Sequence, residues 1–121
     1  MAHRILIVDD EKDMVTVLKK RLVMRGYEVG YAENGREAMT LIENDPVDLI
    51  ILDIMMPVMG GPELANILKE NPLTRNIPII FLSAILDRSE KSQGISGGRP
   101  IFAKPFDTDE LVAAIEKLLK K

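Results

Sequence analysis

A three-layer α/β sandwich around a parallel sheet is the fold class that this sequence predicts, and two observations predict it. Short aliphatic runs recur along the chain, ILIV (5–8), LIIL (49–52), IIFL (79–82) and the weaker IFA (101–103), and segments with helical apolar spacing lie between them. Uninterrupted apolar runs of this length, with no polar alternation, suit parallel strands covered on both faces. EVGYA (28–32) is a poorer fifth strand, suited to an edge. The expected order is βαβαβαβαβα, with five strands and five helices.

The helices follow from spacing and end signals. Met14, Leu18 and Leu22 recur every four residues with Val15 beside them, and Gly26 supplies a stop. Asn34 with Glu37 three residues later forms a capping-box pattern for the second helix. Pro62 suits the first turn of a third helix carrying Leu64, Ala65, Ile67 and Leu68. Asp107 and Glu110 can cap the last helix. Its stripe is Leu111, Val112, Ile115, Leu118 and Leu119, and Lys117, Lys120 and Lys121 favour the negative end of its dipole. The segment ILDRSEKSQGISGGRP (85–100) should hold the fourth helix, but Gly94, Gly97 and Gly98 cluster there and no apolar face emerges. A short or frayed helix is expected.

The bulk composition narrows the class of function. A length of 121 residues fits one domain, expected to span 1–121. Hydrophobic residues at 46% and charged residues at 29% argue against both disorder and a membrane protein. MAHRILIVDD reaches acid before a signal-peptide core can develop. The absence of cysteine removes disulfides, thiol nucleophiles and zinc–thiolate sites, and fits a cytoplasmic setting. A net charge of −3 argues against direct nucleic-acid binding. No membrane association is expected.

Each strong strand is followed at once by a polar residue: Asp9 and Asp10 after the first, Asp53 ending the third, Ser83 after the fourth and Lys104 after the fifth. In an open parallel sheet those ends share the edge at which ligands bind. Two carboxylates about 5 Å apart repel by roughly 3 kcal/mol at an effective dielectric near 20, so several at one place call for protonation or a cation. Oxygen ligands without Cys or His suit a hard cation, Mg2+ or Mn2+ in its place. A carboxylate nucleophile, a metal, a lysine and a hydroxyl together make a phosphoryl-transfer set, because the equatorial phosphoryl oxygens need charge stabilisation.

The segments IVDDE (7–11), LIILDIMMPVMGG (49–61), PIIFLSA (78–84) and AKPF (103–106) resemble, in order and spacing along the whole chain, the receiver domain of two-component response regulators. The resemblance is to chemotaxis-regulator-like members and implies a flavodoxin-like topology with strand order 2-1-3-4-5. It makes Asp53 the phosphoacceptor. Asp10 would bind Mg2+ directly, Asp9 through water, and Met55 through its backbone carbonyl. Ser83 takes the Ser/Thr switch position, Lys104 the phosphoryl-stabilising lysine, and Pro105 the proline after a cis peptide. Met55 and Ile85, apolar at positions flanking the site, are expected to hinder an attacking water and prolong the phosphorylated state.

The implied protein is a switch that promotes its own phosphotransfer and dephosphorylation, not a turnover enzyme. Its donor would be a sensor histidine kinase or phosphotransfer protein. Its output would pass through the fourth helix, fifth strand and fifth helix to a target protein or domain, or to a second copy in a phosphorylation-dependent homodimer. No DNA-binding module follows the last helix, so the reading allows a stand-alone receiver or one cut from a longer regulator or hybrid kinase.

Blander readings exist for these residues. Asp9 and Asp10 could cap the first helix, and Ser83 could cap the segment after it. Lys104 could be a solvated charge, and Asp53 a surface acid. Convergence at one sheet edge favours the functional reading for all five. Gly60 and Gly61 read as a turn, the methionines as packing, and His3 as having no role.

Two rival functions are weaker. An aspartyl-phosphate hydrolase would want an acid two residues past Asp53, where Met55 stands. A binding-only receiver would not need the Asp–Asp–Asp–Ser–Lys set. A flavin or dinucleotide binder is poorer still, since VDDEKD (8–13) lacks glycine. One departure from the family stands out. Ile101 occupies the position of the aromatic rotameric switch, while the neighbouring Phe102 should point to the other side of its strand.

Overall fold

The computed structural model describes residues 3–54, 61–83, 93–96, 99–104 and 106–119. The elements in chain order are β1 (Arg4–Val8), α1 (Lys12–Met24), β2 (Glu28–Ala32), α2 (Gly35–Asn44), β3 (Leu49–Asp53), α3 (Gly61–Glu70), β4 (Ile79–Ser83), β5 (Gln93–Ser96), β6 (Arg99–Ala103) and α4 (Thr108–Leu119). One sheet runs β2-β1-β3-β4-β6-β5. Its first five members pair in parallel, which is the expected 2-1-3-4-5 order with β6 as the fifth strand.

The expected fourth helix is where the structure departs. Residues 85–92 lie outside the described residues, and 93–96 form β5, antiparallel to β6. Among the described residues there are therefore four helices and one strand more than expected. Gly94 and the lack of a 3.6-residue apolar stripe disfavour a helix there. The open side of β6 supplies the backbone partners that the segment needs.

Side-chain alternation along the buried strands divides the core in two. Leu6, Val8, Ile50, Leu52, Ile79, Phe81 and Ile101 face the side covered by α2 and α3, whose Ala38, Ile42, Leu64, Ala65 and Leu68 meet them. Ile5, Ile7, Leu49, Ile51, Ile80, Leu82 and Phe102 face the side covered by α1 and α4, through Val15, Leu18, Leu22, Leu111, Val112 and Ile115. Strands enclosed on both faces need apolar residues at every position, which is why their runs are uninterrupted. β2 is the exception expected of an edge, with Glu28 exposed and Val29, Gly30 and Tyr31 only partly buried.

The helix ends behave as their residues dictate. Asn34 Oδ1 accepts from the Glu37 amide at 2.9 Å, and Glu37 Oε1 accepts from the Glu33 amide at 2.8 Å, closing the entry to α2. Asp107 Oδ1 accepts from the amides of Asp109 and Glu110 at 2.8 and 3.2 Å, capping α4. α1 stops in a Schellman motif: the Gly26 amide donates to the Val23 carbonyl at 3.0 Å and the Tyr27 amide to that of Leu22 at 3.2 Å. Gly26 has φ 93°, in the left-handed region.

A methyl group at Gly26 would meet no atom within 4 Å, so the cost of adding one is backbone strain alone. Gly26→Ala should therefore lower unfolding free energy by about 1–2 kcal/mol. Urea denaturation should show the midpoint falling with an unchanged slope.

Candidate functional site

The parallel register brings the polar strand ends together. Val8 pairs with Leu52, so Asp9 and Asp53, each one residue on, emerge side by side from β1 and β3. Asp53 pairs with Leu82 and Ser83 with Ala103, which sets Ser83 and Lys104 along the same edge. The Asp9 amide donates to the Ala32 carbonyl at 3.1 Å, and the Lys104 amide to the Ser83 carbonyl at 2.8 Å, which ties the turns after β1 and β6 to their neighbours. Asp9, Asp53 and Ser83 are buried. Asp10 is exposed.

Asp9, Asp10 and Asp53 each present a carboxylate oxygen, and these atoms lie within 4.8 Å of one another. Lys104 reaches back across the edge into this group. Its Nζ lies 2.8 Å from Asp9 Oδ2, 3.0 Å from Glu11 Oε1 and 3.4 Å from Asp53 Oδ2. The contacts to Glu11 and Asp53 are hydrogen bonds. The approach to buried Asp9 Oδ2 is the shortest of the three and forms an ion pair. Asp9 Oδ1 accepts from the Glu11 amide at 2.9 Å.

Burial works to lower the Lys104 pKa, but the adjoining Asp9 and Glu11 carboxylates, with Asp53 beyond, outweigh it and raise the pKa above 10.5. The ammonium is thus charged throughout the neutral range. Among the described residues, Lys104 is one cation facing Asp9, Asp10, Glu11 and Asp53, and this group carries net negative charge. An oxygen-only set with a nearby ammonium can hold a hard divalent cation and stabilise an oxyanion.

The residues singled out in the sequence fall into three groups. Asp9, Asp10, Asp53 and Lys104 are brought together, and Ser83 ends the strand between Asp53 and Lys104. Ile101 is buried on the same side of the sheet as Phe81, while Phe102 is buried in the opposite core with Leu82. There is no register shift at β6, and the phenylalanine does not share a face with Ile101. Met55, Ile85 and Pro105 lie outside the described residues. Glu11 is the addition. The strand-end pattern marks it as a third consecutive acid, but nothing in its spacing announces the contact with a lysine 93 positions away.

The chain is similar to known proteins over nearly its whole length. The profile of the response regulator receiver domain matches residues 5–116. The phosphate regulon transcriptional regulatory protein PhoB of Pseudomonas aeruginosa is 42% identical over 118 residues, covering 97% of this chain and 52% of PhoB. Among solved structures, the response regulator TrrA of Thermotoga maritima, determined in complex with Mg2+–BeF, is 39% identical with a TM-score of 0.81, covering 97% of this chain and 99% of that one. The chemotaxis protein CheY4 of Vibrio cholerae is 29% identical with a TM-score of 0.85, covering 98% and 100% of the two chains. The chain spans between about a quarter and about half the length of the curated relatives it matches.

Removing the Lys104 ammonium would take away a positive charge that lies beside buried Asp9 and Asp53. Lys104→Met should cost roughly 3 kcal/mol of stability at neutral pH without added metal. In the unsubstituted protein the lysine's own contribution is complete below pH 10.5 and is lost only as pH rises through its raised pKa. Denaturant unfolding of both proteins across pH checks this, and equal stability at neutral pH would contradict it.

Proposed function

Because the chain belongs to the response regulator receiver family, we propose that it is a phosphorylation-activated switch of a two-component system, with Asp53 as the phosphoacceptor. The observation that carries this is the convergence of Asp9, Asp10, Asp53 and Lys104 at the carboxyl edge of the sheet. Asp53 ends a fully buried strand, so its carboxylate is held in place by packing.

In the proposed reaction a carboxylate oxygen of Asp53 attacks the phosphorus of a phosphohistidine on a sensor kinase or phosphotransfer protein. The new O–P bond forms as the P–N bond breaks, and the electron pair and a proton stay with the departing imidazole. Lys104 is positioned to follow the charge that arrives on Asp53, and Ser83 supplies a hydroxyl at the end of the next strand. A phosphoryl group brings about −1.5 to −2 charge and strong acceptor oxygens. Their attraction for Lys104 and Ser83 biases the domain towards a second conformation.

The residues present fit a divalent cation. Their donors are all oxygen, and one from each of Asp9, Asp10 and Asp53 lies within 4.8 Å of the others. Asp10 and Asp53 would hold Mg2+ directly, with Asp9 acting through water. When bound, the ion supplies positive charge to the transferring phosphoryl oxygens. A histidine kinase or phosphotransfer protein is the proposed donor partner, and the whole protein acts in the cytoplasm. The proposed output face includes β6 and α4.

Ile101 bears on how the state is read. With a branched aliphatic in the buried place beside Phe81 and Phe102 locked in the opposite core, Ser83 closure would be conveyed by aliphatic repacking and not by an inward-swinging aromatic ring. Structures with and without beryllofluoride should show Phe102 on the α1–α4 side in both. An aromatic ring from β6 beside Ser83 in the activated form would overturn this.

Exposure to acetyl phosphate and Mg2+ should add one phosphoryl group at Asp53, read by mass spectrometry of the intact chain and its peptides. Asp53→Asn should abolish it, and chelation of Mg2+ should slow it at least a hundredfold on the order of the charge stabilisation removed. Labelling retained at another residue in Asp53→Asn would refute the assignment.

A further inference from the structure

Glu11 stands at the N-cap of α1, yet its side chain makes no capping hydrogen bond. Asp, Asn, Ser or Thr would cap well there, and glutamate is a poor choice. Its carboxylate instead crosses to the end of β6 and accepts a hydrogen bond from Lys104 Nζ at 3.0 Å. The cation-type oxygen group comprises Asp9, Asp10 and Asp53 and does not include Glu11. The Glu11 side chain is 59% exposed, against 11% for Lys104. It is an outer carboxylate aimed at the ammonium.

The order of distances gives the contact a direction. Lys104 Nζ is nearest Asp9 and Glu11, at 2.8 and 3.0 Å, and farthest from Asp53, at 3.4 Å. Charge arriving on Asp53 must draw the ammonium inward, and Glu11 pulls it the other way. Resting on the phosphoacceptor reading of Asp53, we propose that Glu11 is a resting-state counter-ion that restrains Lys104 and competes with a phosphoryl group for its ammonium. Glu11 is a positioning residue that acts through Lys104, and its competition sets how readily the activated state forms.

The contact depends on the length of the glutamate side chain, so charge and reach can be separated. Glu11→Gln removes the charge. Glu11→Asp keeps the charge but is one methylene shorter and can turn back to cap α1. Beryllofluoride affinity is measured at saturating Mg2+ by fluorine NMR for the unsubstituted protein and both variants.

Both variants should bind about two- to fivefold more tightly, the size expected for releasing a partly exposed ion pair. In the unsubstituted protein the Glu11 carboxyl carbon signal should move towards that of a solvated glutamate as the ligand saturates. Unchanged affinity in both variants, a gain in Glu11→Gln alone, or a stationary Glu11 signal would overturn the proposal. A gain confined to Glu11→Gln would mean only that a nearby negative charge is felt. Failure of the unsubstituted protein to bind beryllofluoride at all would overturn the phosphoacceptor reading, and this proposal with it. Tight binding by the unsubstituted protein with no gain in the variants sinks this proposal alone.

Discussion

The Lys104 ammonium among the carboxylates of Asp9, Glu11 and Asp53 is the interaction on which the rest depends. Two of those acids are buried at the ends of strands that also form the core. A buried carboxylate without a cation costs several kcal/mol, enough to consume much of the stability of a domain this size. The lysine lowers that cost without cancelling it, since its single charge meets more than one carboxylate. On the proposed function, the remaining negative charge would give the edge an affinity for a divalent ion, and it would also be what a transferred phosphoryl group has to overcome.

The scaffold and the site come from the same residues. Strands covered on both faces carry aliphatic side chains at each position, and this continuity ends abruptly at the edge where the chain turns towards a helix. Asp9 follows Val8, and Asp53 follows Leu52, with no intervening residue to loosen them. Packing of Ile51 and Leu52 into opposite cores fixes the Asp53 backbone, so the carboxylate gains its position from the hydrophobic burial of the residues just before it. The fold thus places charge where apolar packing alone would exclude it.

How much of this can be read in the sequence varies by element, for physical reasons. The central strands are legible because a run such as LIIL has no other comfortable home, and α2 and α4 because their capping residues stand at the spacing that their hydrogen bonds require. The segment after β4 is not. Its glycines say that a helix is unfavourable there, but they do not say that 93–96 pairs with the open side of β6, a contact set by the neighbouring strand. At the site, Asp9, Asp10, Asp53 and Lys104 are legible because each ends a strand or lies within two residues of its end. The Glu11–Lys104 pair is hidden, because the reach of two long side chains across the sheet edge leaves no trace in spacing. The opposed orientations of Ile101 and Phe102 follow from strand alternation and hold in the structure, which leaves an aliphatic residue where an aromatic one was the family expectation.

The central claim is that surplus negative charge at the sheet edge is relieved by a divalent cation, and ligand-linked stability tests it most directly. Unfolding free energy measured against Mg2+ concentration should rise with the logarithm of free Mg2+ once the dissociation constant is passed. A variant with Asp9 and Asp10 both changed to Asn should lose that dependence while remaining folded. If the unsubstituted protein shows no dependence on Mg2+, or the variant keeps the same dependence, the charge balance described for Asp9, Asp10, Asp53 and Lys104 is wrong.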